Sequence, residues 1–188
     1  MRPRGRVGGS LLPLVVLAFG CSSGGAAKPD AGGSPSHDAD FSVCSGTPAM
    51  PYTPGLSVLS ASGAYRATVT SASTADSSGA TAPTAAIGLA TFAVAITTAG
   101  EAGAGAAATG VAMTIPPSPA QVPADPYMPV HKHGASTSPL ITDQSGGLFG
   151  VSNVDFFMGG FWELYLDLTP AGAATADRVT FQICIPND

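Results

Sequence analysis

Apolar and polar residues alternate with a period of two along much of the chain after residue 41. The clearest run is "FWELYLDL" (161–168), in which every second position is large and apolar: Trp162, Leu164, Leu166 and Leu168. The last apolar segment, "RVTFQICIP", repeats the pattern with Val179, Phe181, Ile183 and Ile185. A period of two places alternate side chains on opposite faces and predicts half-buried β-strands.

Further strands are predicted at "YRATVTS" (65–71), "GVAMTIP" (110–116) and "LFGVSNVDFF" (148–157). In the longer run "IGLATFAVAIT" (87–97) the apolar parity changes between Leu89 and Phe92, which predicts a bulge near Thr91. Clusters rich in Gly, Thr and Pro separate these runs, and none of the segments has convincing helical periodicity. The pattern predicts an all-β fold, an antiparallel immunoglobulin-like β-sandwich of about seven strands. An OB-like barrel is the alternative.

The first 40 residues have a different composition. Three arginines precede the apolar run "LLPLVVLAF" (11–19), which is too short to span a bilayer as a helix and is typical of a secretory signal. "LAFGC" resembles a bacterial lipobox, with Cys21 as the residue that receives lipid. An ordinary signal peptide with a chance cysteine is the alternative. The small, polar residues that follow predict a disordered tether.

These features predict a signal peptide over residues 1–20, a tether over 21–40 and the β-sandwich over 41–188. The expected location is the cell envelope, where lipid on Cys21 would hold the protein in the membrane. Ser22 follows the cysteine, and no aspartate stands there to favour retention in the inner membrane. We therefore expect anchoring in an outer membrane, with the domain facing the periplasm.

The charge balance argues against nucleic acid as a partner. Of seven basic residues, three lie in the predicted signal peptide, so four remain against twelve acidic ones and the net charge is near −8. A chain this acidic, without a basic cluster, lacks the positive charges that bind a phosphate backbone.

Two further cysteines, Cys44 and Cys184, suit a disulfide in an oxidising compartment. Such a bond would close a loop of about 140 residues, worth roughly 4 to 5 kcal/mol in the chain-entropy estimate. Two free thiols are the alternative.

The stretch "YMPVHKHG" (127–134) carries the residues best suited to metal chemistry. In an extended backbone His131 and His133 point to the same side, so both imidazoles could reach one ion. A thioether beside imidazole favours copper, Cu(I) in particular. Met128 lies in the same stretch, and Met158 precedes a glycine turn in "FMGGFW". The predicted metal ligands are therefore His131, His133, Met128 and Met158, and the alternative is a loop in which these residues only pack or contact solvent.

Residues from about 55 to 186 resemble the YtkA-like, FixH-related immunoglobulin-like domains of bacterial envelope proteins. The similarity lies in "MPVHKHG" (128–134) and in "SGGLFGVSNVDFFMGGFWELYLDL" (145–168). It comprises a Met-Pro turn with histidine and glycine, then a glycine before an aromatic residue, then methionine and glycine shortly before Trp162. The resemblance implies a periplasmic β-sandwich of the kind found near copper handling, metal efflux or oxidase assembly.

Motifs of enzymes are missing from the sequence. It contains neither GxSxG nor HExxH, and no glycine-rich phosphate loop opens a helix. We therefore expect a non-enzymatic, lipid-anchored domain that binds or delivers copper. The alternative is a structural or protein-interaction module of the envelope with another envelope protein as its partner.

Overall fold

Two β-sheets pack against each other, and the alternation in the sequence decides which side chains lie between them. The computed structural model describes residues 40–100, 105–116 and 125–187. Each of the two sheets contains six strands.

The strands are β1 Met50–Pro51, β2 Ser57–Leu59, β3 Tyr65–Ala75, β4 Thr81–Ala82, β5 Gly88–Thr98, β6 Val111–Thr114, β7 Tyr127–Met128, β8 His133–Gly134, β9 Leu140–Asp143, β10 Leu148–Phe156, β11 Gly160–Pro170 and β12 Asp177–Ile185. A short 3₁₀ turn, Ser42–Cys44, precedes β1. In the first sheet the strand order is β1-β12-β11-β7-β8, and β6 also pairs with β11. In the second sheet the order is β2-β3-β5-β10-β9, and β4 also pairs with β3. All of these strand pairs are antiparallel except β1 with β12.

The predicted all-β sandwich is confirmed. Seven of the strands have four or more residues, namely β3, β5, β6, β9, β10, β11 and β12. Over the described residues the two sheets remain separate and do not close into an OB-like barrel.

The core lies between the inner faces of the two sheets. On β11 and β12 none of the predicted inward residues is more than 1% exposed: Trp162, Leu164, Leu166, Leu168, Val179, Phe181, Ile183 and Ile185. From the second sheet Phe92 and Phe156 meet this layer, and Phe156 packs edge-on against Trp162 with ring centroids 5.7 Å apart. Edge-to-face contacts of this kind add to the stability that burial provides.

The predicted bulge in the strand that carries Thr91 is wrong, because the extra residue lies in the partner strand β10. In β5 the buried positions keep one parity from Ala90 to Ile96. The register shift falls in β10 between Val151 and Val154, where Asn153 has a φ of +61°. Ser152 and Asn153 lie opposite the single residue Thr91, and this one extra residue changes the inward parity of β10, which explains the mixed facing of its sequence.

The predicted disulfide between Cys44 and Cys184 is formed, with the two Cα atoms 6.0 Å apart. It joins the 3₁₀ turn to β12 across the outer face of the first sheet. The predicted signal peptide, most of the predicted tether and Cys21, the predicted site of lipid attachment, lie outside the described residues. No helix in the described part of the chain is long and apolar enough to cross a membrane.

Candidate functional site

The histidine segment is a tight β-hairpin between β7 and β8. Met128 pairs with His133 across the two strands, and the carbonyl of Met128 accepts hydrogen bonds from the amides of His131 (3.2 Å) and Lys132 (2.8 Å). Pro129 stands directly after the first residue of this turn, where its fixed φ favours the bend. Lys132 takes a left-handed conformation with a φ of +56°.

The extended backbone assumed for this stretch is therefore wrong, since residues 129–132 form the loop of the hairpin. The turn still brings the two imidazoles together, with ring centroids 5.6 Å apart and ring planes 34° apart. His131 and Lys132 are exposed and His133 is half-buried.

A bond of about 2.0 Å between a metal and an imidazole nitrogen puts the ion about 3.2 Å from the ring centroid, so two rings sharing an ion have centroids roughly 5 to 6.5 Å apart. The observed 5.6 Å lies within this range. The spacing of His131 and His133 is thus compatible with one shared ion.

Aromatic packing fixes the position of His133. Its ring lies against Phe157 with centroids 5.3 Å apart, and it meets the edge of Trp162 at 6.3 Å. Phe157 in turn packs on Trp162 at 5.3 Å. Since Trp162 is fully buried, this stack attaches the hairpin to the core.

Trp162 also positions the turn that carries Met158. The indole Nε1–H donates a hydrogen bond of 3.1 Å to the backbone carbonyl of Met158. That bond spans the short connection (157–159) between β10 in one sheet and β11 in the other. Met158 is half-buried and packs against the edge of the core.

Three of the four predicted ligands line one open cleft of about 300 Å³. The complete lining is Val43, Met128, Val130, His131, Met158, Gly159, Gly160, Phe161 and Asn187. His133 lies beside this cleft through its contact with His131. The fold therefore gathers residues that are about thirty positions apart in the chain at one end of the sandwich.

Met128 forms the floor of this cleft and is only 1% exposed. A Cβ added at Gly160 would lie 2.6 Å from the Met128 Cε, and Gly160 also has a φ of +139°. Glycine is therefore required at position 160, both for its backbone and to leave room for the thioether.

The hairpin is also tied to the second sheet through the bulge in β10. The Thr137 hydroxyl donates to the backbone carbonyl of Asn153 (3.0 Å), and the side-chain Nδ2 of Asn153 donates to the carbonyl of Ser138 (2.9 Å). Ser136 donates to the carboxylate of Asp155 at 2.8 Å. These bonds hold the segment that leaves β8, so the bulge helps to position the histidines.

The donors at this end are soft and uncharged. Among the described residues, no three His, Cys, Asp or Glu side chains are placed to hold one ion. A site here would depend on thioether sulfur beside imidazole, which suits Cu(I) better than a hard divalent cation.

A second polar region lies on the outer face of the first sheet, around Asp125. This carboxylate is 3% exposed and accepts the amide hydrogen of Tyr165 at 3.3 Å. Burial raises the pKa of Asp125 to about 8. Burial, and then the hydrogen bond to Glu163, also raise the pKa of Tyr165.

Sequence reasoning missed the remaining walls of the cleft. Val43 and Asn187 come from opposite ends of the described chain and meet there, because the disulfide and the pairing of β12 bring these ends together. The available signal was the cysteine pair, since a bond between Cys44 and Cys184 places Val43 near the end of β12.

Comparisons of the chain with protein-family models, with curated proteins and with solved structures find no match. The resemblance to YtkA-like and FixH-related domains therefore stays a prediction.

Proposed function

We propose that this domain binds Cu(I) at the cleft, with His131, His133 and Met158 as ligands and Met128 beneath them. The observation that carries the proposal is the convergence of Met128, His131 and Met158 on one open cleft. The spacing of the two imidazoles adds support. Imidazole and thioether form the donor set that soft copper prefers.

The setting of this activity is also part of the proposal. The chain is a lipid-anchored envelope protein, attached through Cys21, that receives copper or delivers it. Chemistry on a substrate is not required, because holding a cation needs only the ligands and their orientation.

The test is a competition titration of the full chain against a chromogenic Cu(I) chelator, in a Cys21→Ser background so that no free thiol competes for copper. Ascorbate keeps the copper reduced without reducing the disulfide. We expect near-stoichiometric binding that is lost in a His131→Ala/His133→Ala double variant. Absence of binding, or equal binding by the double variant, would refute the proposal.

A pair of methionine variants tests the thioether. Met158→Leu keeps the side-chain volume and removes the sulfur, and it should weaken binding by at least about tenfold. Met113→Leu makes the same change at a buried core position, 6% exposed, and should leave the affinity unchanged. Because Trp162 is the only tryptophan and bonds to Met158, its fluorescence gives a second readout.

A protein-interaction role is the second candidate, favoured by the apolar lining of the cleft. Only His131 and Asn187 among the lining residues are polar, and Val130 at the rim is 65% exposed. An apolar segment of an envelope partner could bury these residues. This function predicts that Val130→Asp abolishes cross-linking to the partner while Met158→Leu is tolerated. The copper site predicts the opposite order of sensitivity for metal binding.

A further inference from the structure

One wall of the cleft comes from the segment 40–44, which enters the domain beside β12. Val43 lines the cleft and is 37% exposed. The next residue, Cys44, is buried and carries the disulfide to Cys184. The wall of the site is therefore one residue from a covalent bond to the sheet.

Apart from the disulfide and the packing of the 3₁₀ turn against β11, few non-local interactions hold this segment in place. Within residues 40–49 most hydrogen bonds are local, such as Cys44 N–H to Phe41 O (3.1 Å) and Ser45 N–H to Ser42 O (2.9 Å). Among the hydrogen bonds between described residues, only one links this segment to another part of the chain. In it the backbone amide of Asn187 donates to the Asp40 carbonyl at 3.1 Å. The next firm attachment is β1, which begins at Met50.

From this arrangement we infer that the Cys44–Cys184 disulfide is a redox gate for the cleft. While the bond is intact, Val43 stays in the wall of the cleft and the site is complete. A dithiol reductant attacks one sulfur, forms a mixed disulfide and leaves as its own disulfide, and Cys44 and Cys184 become thiols by taking up two electrons and two protons. The wall then keeps only one backbone hydrogen bond and the packing of the 3₁₀ turn on β11, and it separates from Asn187.

The consequence for binding rests on the proposed function. A gate of this kind lets the site hold its ion in an oxidising compartment and weakens it after reduction. The affinity of the His/Met site should therefore depend on a bond whose sulfurs are not among the proposed ligands.

Silver(I) is a suitable probe because it is soft and monovalent and needs no reductant. The full chain is titrated in a Cys21→Ser background, which leaves no free thiol while the disulfide is intact. In this background Cys44→Ser/Cys184→Ser should bind silver at least about tenfold more weakly than the disulfide-bonded parent. Equal affinities in a folded variant would overturn the gate.

Hydrogen exchange tests the gate without any metal, so its outcome is independent of the proposed function. The full chain is compared before and after reduction by a dithiol, with thiol titration confirming that the bond is broken. We expect the Asn187 amide to lose protection about tenfold or more, while the Ile96 amide, bonded to Gly147 O in the second sheet at 2.7 Å, keeps it. Unchanged protection at Asn187 overturns the gate. Equal loss at Ile96 also overturns it, because the disulfide would then hold the whole fold and not one wall.

Discussion

The two faces of β11 show how one strand supports two different kinds of stability. Its inner face carries Trp162, Leu164, Leu166 and Leu168, none more than 1% exposed. Its outer face carries polar groups that bond to each other and to β12. The Tyr165 hydroxyl donates to Glu163, Gln182 of β12 donates to Glu163 at 3.1 Å, and Arg178 of β12 pairs with Asp167 at 2.8 Å.

Burial alone does not distinguish these faces, since Tyr165 and Asp125 on the outer face are also covered. The difference lies in what burial does to the free energy of unfolding. Burial of apolar groups stabilises the folded state at any pH. Burial of a carboxyl group destabilises it unless the carboxyl is neutral or paired. The inner face should therefore provide stability that is independent of pH, and the outer face a smaller contribution that depends on it.

The largest effect is expected from the inner face. Phe181, opposite Leu164 on β12, is fully buried. Phe181→Ala removes its packing and leaves a cavity, and it should lower the free energy of unfolding by about 3 to 5 kcal/mol. Urea denaturation measures this loss. Thr180→Ala, on the outer face of the same strand, is the matched control and should cost less than about 1 kcal/mol. Similar losses for both would remove the distinction between the faces.

Asp125 should make the outer face sensitive to pH. Its pKa in the folded state, about 8, lies above the ordinary value of 3.8. Between these pH values the folded state holds a proton that the unfolded state has lost, so the free energy of unfolding falls as the pH rises. The slope for one such group is about 1.4 kcal/mol per pH unit, which gives a loss of roughly 2 to 3 kcal/mol between pH 5 and pH 7.

Asp125→Asn should abolish this loss, because the amide stays neutral and keeps an acceptor for the Tyr165 amide. The free energy of unfolding is measured by urea denaturation at both pH values. Asp143→Asn, at an exposed position, is the control and should keep the slope of the wild type. An equal slope in the Asp125 variant would assign the pH dependence to other groups.

The inner face could be predicted from the sequence because its large side chains follow a period of two. The burial of Trp162 and Phe181 follows from this local pattern alone. The same rule failed at β5 and β10, where the parity of the apolar residues changes in both segments. Only the strand pairing shows that Ser152 and Asn153 form the bulge.

The candidate site was predictable in part for a similar reason. His131 and His133 are close in sequence, and their residue types alone suggested a metal. Val43 and Asn187 carry no such chemistry, and their place in the cleft depends on contacts between distant segments. Asp125 precedes a proline, a setting typical of an exposed loop, and its burial comes from packing against β11.

The smallest effect should come from the ion pair of the outer face. Arg178 bonds to Asp167 through two nitrogens, at 2.8 and 3.0 Å, and this paired geometry favours a measurable contribution. However, the Arg178 side chain is 39% exposed, and water and salt screen such pairs to about 0 to 1 kcal/mol. Asp167→Asn should therefore lower the free energy of unfolding by about 0.5 to 1 kcal/mol, and less at high salt.

A double-mutant cycle with Arg178→Gln separates this coupling from the contact of Arg178 with the Tyr165 ring, 5.7 Å from its centroid. A coupling energy above about 2 kcal/mol, unchanged by salt, would mean that the pair behaves as a buried one. The outer face would then contribute to the free energy of unfolding on the same scale as the core residues beneath it.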